Sequence, residues 1–210
     1  MDHARPIQAL FPGARGAVLD VLTRVQRGMT IRQLADRAGV SHPQVSRHVS
    51  DLEALGIVRR EHVGRSHVIT LSGTMAADLI RRIATLRQDA IGTMQRAALA
   101  IQPRPLALIL FGSFARGDDD ARSDIDVLVV IDDAMWEGEI DASLSEWCLQ
   151  VTALTGNPVA EILIRRGDID GLDADLRSSI EKDGVAILGD LLPEGPRLRI
   201  VAEARGPYGA

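Results

Sequence analysis

The chain has 210 residues, 46% of them apolar and 25% charged, so it can bury a core in one large domain or two small ones and is no disordered chain. Aromatic residues at 3% argue against a stacking platform for single-stranded nucleic acid; the single cysteine, Cys148, excludes a disulfide framework or a cysteine-rich zinc site and suits the reducing cytoplasm; no apolar run reaches membrane-spanning length. The net charge of −5 hides a split, because residues 1–104 carry 15 arginines against 8 acids (+7) and residues 105–210 carry 9 basic against 21 acidic residues (−12). A basic half suits a phosphate backbone and an acidic half suits metal ions.

In chain order, residues 1–13 hold Pro6 and Pro12 and read as an arm. Residues 14–27 carry Val18, Leu19, Leu22 and Val25 at helical spacing, and Gly28 stops that helix. Thr30 caps a second helix that ends at Gly39, and Ser41 caps a third, with Pro43 in its first turn, that runs to Leu55. Residues 57–71 alternate around Gly64 and read as a hairpin. Residues 74–101 predict one long amphipathic helix through Leu79, Ile83, Leu86, Ile91 and Met94, broken by Pro103 and Pro105. Residues 106–111 and 124–131 predict apolar strands with a first helical turn at 113–117 between them. Residues 136–154 read as a helix, 159–164 as a strand, 169–182 as a helix and 185–188 as a short last strand. The expected fold class is α+β, with a module over 1–73, a linker helix over 74–104, a mixed-sheet module over 105–192 and a loosely held tail over 193–210.

Three helices followed by a hairpin have the layout of a winged helix-turn-helix. The stretch TIRQLADRAGVSHPQVSRHVSDLEALGIV resembles the DNA-binding domains of MarR- and ArsR-type repressors. Small Ala35, the turn at Gly39 and inward Val40, Val45 and Val49 let two helices cross closely. The third helix offers Gln44, Ser46, Arg47, His48 and Ser50 to base edges or phosphates of double-stranded DNA. The hairpin tip adds Arg65 for the backbone or minor groove. A protein-interaction wing is the alternative. His42, His48, His62 and His67 fit no zinc spacing.

The second informative stretch is Gly112-Ser113, ten residues, then Asp124-Ile125-Asp126 opening a strand. Gly112 lets backbone approach a ligand, and Ser113 with the N–H groups after it opens a helix whose positive end suits a triphosphate. Asp124 and Asp126, two apart on a strand, point to one face, where their charges repel unless a divalent cation such as Mg²⁺ lies between them. Such a cation neutralises developing charge in phosphoryl or nucleotidyl transfer.

This signature resembles that of the DNA polymerase β-like nucleotidyltransferases, nearest to their minimal branch of antitoxin enzymes and relatives of aminoglycoside nucleotidyltransferases. The resemblance covers roughly residues 106–131. It implies a mixed sheet flanked by helices, two Mg²⁺ ions and transfer of a nucleoside monophosphate from a nucleoside triphosphate, ATP foremost. It implies phosphate contacts by Gly112 and Ser113 and metal binding by Asp124 and Asp126. The family's third carboxylate falls on a neighbouring strand, where Glu161 is the candidate; a slip of one residue puts Ala160 there instead.

Arg116, one helical turn beyond Ser113, either touches phosphate or pairs with a loop acid. Asp118-Asp119-Asp120 reads as a solvated turn, and Trp136 and Trp147, 11 residues apart on one predicted helix, as core. Three functional readings follow: a DNA-binding cytoplasmic nucleotidyltransferase, a regulator whose second module only senses nucleotide, and an antitoxin that modifies a toxin partner. The long 74–101 helix is the expected homodimer element.

Overall fold

The computed structural model describes residues 1–189 apart from Gln26 and Arg65; the tail expected over 193–210 lies outside them. The chain forms two compact units, one of Arg5–Leu86 and one of Met1–Ala4 together with the residues from Arg87 onward.

The first unit holds α1 (Pro6–Leu10), α2 (Ala14–Arg24), α3 (Ile31–Ala38), α4 (His42–Ala54), the strands β1 (Val58–Val63) and β2 (Ser66–Leu71), and α5 (Met75–Ala84). Residues 6–10 are helix rather than arm, because Pro6 starts a turn whose Ile7 is fully buried against the other helices. Thr30 and Gln33 form a reciprocal capping box at the start of α3, and Gly39 at φ 64° closes it in the left-handed conformation that a side chain resists. Ser41 starts α4 differently, donating to the Gln44 side chain at 2.7 Å instead of capping the backbone. Val18, Leu19, Leu22, Leu34, Val45, Val49 and Leu52 make the helical core. β1 and β2 pair antiparallel, Val58 opposite Leu71, and Met29 bridges Ile69, so the hairpin is tied back to the chain before α3.

Residues 74–101 form two helices, not one. α5 ends at Thr85, whose hydroxyl donates to the Arg82 carbonyl at 3.0 Å, and α6 (Leu86–Ala98) starts at once, all but its first residue belonging to the second unit. The division between the two units therefore falls inside this stretch.

The second unit continues with β3 (Ala107–Phe111), α7 (Gly112–Arg116), β4 (Ile125–Ile131), α8 (Asp141–Thr155), β5 (Val159–Arg165), α9 (Ala174–Asp183) and β6 (Val185–Leu188). The sheet order is β5-β4-β3-β6, with β3 antiparallel to β4 and β6 and β4 parallel to β5. One face buries Leu108, Leu110, Val127 and Val129 under Ile91 and Met94 of α6 and Trp147 and Val151 of α8. The other buries Ala107, Ile109, Leu128 and Val130 against Ile180 of α9. Five β4 side chains (Ile125, Val127, Leu128, Val129, Ile131) are wholly buried, at about 1.5–3 kcal/mol each, so the strand's register is pinned. Asp126 is the one break in that apolar run. Trp147 is core, and its indole N–H donates to the Met94 carbonyl at 3.2 Å. Trp136 is exposed instead, because α8 begins only at Asp141 and residues 137–139 form a 3-10 turn at Gly138, over which the Trp136 ring lies. Among the described residues no helix is long and apolar enough to cross a membrane.

Candidate functional site

β3 delivers Phe111 directly opposite Asp126 on β4, and the chain then turns sharply at Gly112, φ 71°, into the five-residue α7. A β-carbon at Gly112 would overlap the Asp126 carboxylate oxygen Oδ2. Only glycine leaves room for the acid to lie on the backbone at the mouth of α7. Asp124, exposed just ahead of β4, lies near enough for its charge to act on Asp126. Burial first, and Asp124 second, push the Asp126 carboxyl above the ordinary carboxylate range, against the opposing pull of Arg116. A half-buried acid that resists ionising beside a second acid has the donor chemistry of a divalent-cation site. The residues that would hold such an ion are Asp124 and Asp126, and among the described residues no cluster of three or more His, Cys, Asp or Glu accompanies them. Ser113 is half-buried; its carbonyl accepts the N–H groups of Gly117 and Asp118. Arg116 donates to Asp118 at 3.1 Å.

Glu161 does not join this group. The parallel ladder sets Asp126 beside Ala160 and Val127 beside Glu161. Side chains alternate along a strand, so Glu161 shares the Val127 face under α8, and Ala160 occupies the place next to Asp126. Glu161 acts on Cys148 of α8 instead, where burial foremost and then the Glu161 charge push the half-buried thiol up to about 11. A thiol held protonated in this way is unreactive at neutral pH.

The triple-acid turn is not uniformly solvated. Asp118 pairs with Arg116, and Asp120 accepts from the Arg122 and Ser123 side of the turn, but Asp119 is buried. Its Oδ2 accepts from the His3 backbone N–H at 3.1 Å and faces the His3 Nδ1 at 3.2 Å. Buried Asn157 donates to the carbonyls of Asp120, at 3.2 Å, and Ser123, at 2.7 Å. Arg87 donates to the carbonyls of Phe114, at 2.7 Å, and Ala115. Sequence spacing could not point to His3, Arg87 or Asn157, since each meets its partner from 27 to 116 residues away.

In the first unit, α4 turns Gln44, Arg47 and Ser50 outward along one exposed face, with Ser46 and His48 half-buried beside it. Ser50 donates to the Ser46 carbonyl, and His48 stands 4.0 Å from Asp51. Arg65 lies outside the described residues.

Residues 11–67 match the model of the MarR family, and residues 96–187 match that of the polymerase beta nucleotidyltransferases. The chain joins a MarR-type winged helix to a polymerase β-type nucleotidyltransferase fold. Among solved structures, the transcriptional regulator PA3341 is similar at 34% identity over 40% of this chain and 66% of that one, just under two thirds of its length, with a TM-score of 0.32. A MarR-family regulator from Rhodococcus sp. RHA1 is similar at 23% identity over 48% of this chain and 71% of that one, with a TM-score of 0.32. The toxin–antitoxin MntA-HpeT, as a mutant, is similar at 15% identity over 47% and 73%, with a TM-score of 0.35. No curated protein matches the chain.

Proposed function

We propose that the protein binds double-stranded DNA through α4 and the hairpin and, in its nucleotidyltransferase unit, transfers a nucleoside monophosphate from a Mg²⁺-bound nucleoside triphosphate, ATP foremost, to an acceptor. The observation that carries the reading is the Asp126 carboxylate seated on Gly112 with Asp124 beside it. Asp124 and Asp126 hold the cation, which supplies charge neutralisation at the transferred phosphate. Gly112 and Ser113 bring backbone N–H groups to the phosphates, and Arg116, already drawn towards Asp118, adds positive charge at the rim. The acceptor class that the resemblance carries is a partner protein, a toxin among them. The protein works in the cytoplasm as a homodimer, for which Met75 and Leu79, exposed on α5, supply an apolar face.

The test is incubation with labelled ATP, Mg²⁺ and candidate acceptors beside an Asp124→Ala/Asp126→Ala control. Label passes to acceptor only with the unaltered protein; equal labelling by both removes the transferase. A monomeric mass in solution removes the homodimer.

One observation favours a second reading. Ala160 lies beside Asp126 in the ladder, so among the described residues two carboxylates are available to bind a cation and no third is clustered with them to take the acceptor's proton. In that case the unit senses nucleotide without consuming it. Nucleotide bound tightly and recovered unchanged after long incubation with Mg²⁺ selects this reading.

A further inference from the structure

The winged-helix segment Arg5–Leu86 interrupts the nucleotidyltransferase unit in the chain, leaving after Ala4 and rejoining at Arg87. Residues at both junctions contact the same short helix and the loop behind it. From the N-terminal side, the His3 ring packs edge-on against Phe114 at 5.2 Å, and His3 meets Asp119 through its backbone N–H and its Nδ1. A carboxylate only accepts, so the ring nitrogen facing it carries the hydrogen. From the other side, Arg87 donates to the Phe114 and Ala115 carbonyls and lies over the Phe114 ring at 5.8 Å. Those carbonyls belong to the last turn of α7, where a cation satisfies acceptors the helix leaves unpaired.

Asp119 makes this arrangement costly to lose. Its side chain is sealed from solvent, and its Oδ1 has no hydrogen-bond partner. A buried carboxylate is tolerated only while something compensates its charge. Here the compensation comes from His3 directly and from Arg87, which lies close enough to feel the Asp119 charge. The same loop is held farther on by the Asn157 amide at Asp120 and Ser123, and the next residue is Asp124. The clamp therefore grips the last turn of α7 and the loop after it, between half-buried Gly112 and Ser113 on one side and exposed Asp124 on the other.

We infer that His3 and Arg87 are positioning residues of the nucleotide site: by holding Phe114 and Asp119 they fix the Gly112-Ser113 turn relative to Asp124. The inference rests on the nucleotide reading above.

The test uses the full-length chain. Mg²⁺-ATP is titrated calorimetrically into the unaltered protein and into His3→Ala, His3→Gln and Arg87→Ala, and amide hydrogen exchange is followed over residues 112–124. His3→Ala binds Mg²⁺-ATP roughly tenfold more weakly, the scale at which outer supporting groups act on an ion site. Its exchange quickens at 112–124 while β3 and α2–α4 stay protected. His3→Gln, which keeps a donor for Asp119, recovers most of the affinity. Should Arg87→Ala fold poorly, His3→Ala carries the test alone, since residue 3 lies outside every helix and strand. Equal affinity and equal exchange in His3→Ala and the unaltered protein overturn the clamp. No binding of Mg²⁺-ATP by the unaltered protein overturns the nucleotide reading itself, and the clamp's role with it.

Discussion

On α4, Gln44 and Arg47 are exposed to solvent, with Gln44 accepting from the Ser41 hydroxyl at the start of the same helix. At the turn after β3 the reverse applies: Asp126 lies on bare backbone, its register set by a strand buried on both faces. A surface that reads a phosphate backbone gains from charge that is mobile and additive, whereas a cation site needs two oxygens at one fixed separation. Under the proposed function the winged helix therefore tolerates the loss of one contact, and the two-aspartate site does not.

The largest expected effect tests the rigid side of that contrast. Asp124→Ala/Asp126→Ala lowers transfer by on the order of a hundredfold or more, since a bound cation contributes several kcal/mol to stabilising developing charge. DNA binding, measured by anisotropy, stays unchanged. A fall in both readouts would mean that the double variant unfolds the unit rather than emptying a site. On the mobile side, Arg47→Ala costs about 1–3 kcal/mol of DNA affinity if it contacts a base edge; if it contacts phosphate, the loss is uniform across sequences and the salt slope falls by about one. An unchanged slope and affinity would move the DNA contact off α4.

A third change sharpens the question of what the rigid site lacks. Ala160→Asp sets an acid beside Asp126 in the ladder. It raises transfer about tenfold if proton abstraction limits the reaction, a modest share of what a general base contributes. Glu161→Ala leaves transfer unchanged. The opposite pattern, a loss with Glu161→Ala, would show that β5 pairs one residue out of register in solution.

These residues also show what could be read without coordinates. Gly112-Ser113 and Asp124-x-Asp126 were legible because the strand, the turn and the next strand are contiguous, so spacing alone carries the geometry. The parity of β5 was not. In Val-Ala-Glu-Ile-Leu-Ile apolar residues fall on both faces, so no alternation decides whether Ala160 or Glu161 meets Asp126. The break at Thr85 was hidden for a similar reason: Leu79, Ile83 and Leu86 continue the helical period across it, although α5 and α6 serve different cores. Trp136 and Trp147 kept a helical spacing that the turn at Gly138 interrupts. Asp119 was misread because a solvated run of acids and a run with one buried member look alike until the distant His3 is found.

The smallest expected effect checks the face assigned to Glu161 independently of catalysis. Cys148 is held at about 11 by burial and, secondarily, by the Glu161 charge. Glu161→Gln removes a negative charge that opposes the thiolate, so the Cys148 pKa falls, though burial keeps it above the ordinary thiol range. Since the thiolate is the reactive form, iodoacetamide modifies Cys148 slowly at neutral pH in both proteins and faster in Glu161→Gln as the pH rises towards 11. Mass spectrometry of the single cysteine reads this directly. Identical rates across that range would place Glu161 away from α8, and so return it to the face of β5 that Asp126 shares, where a third carboxylate would complete the cation site.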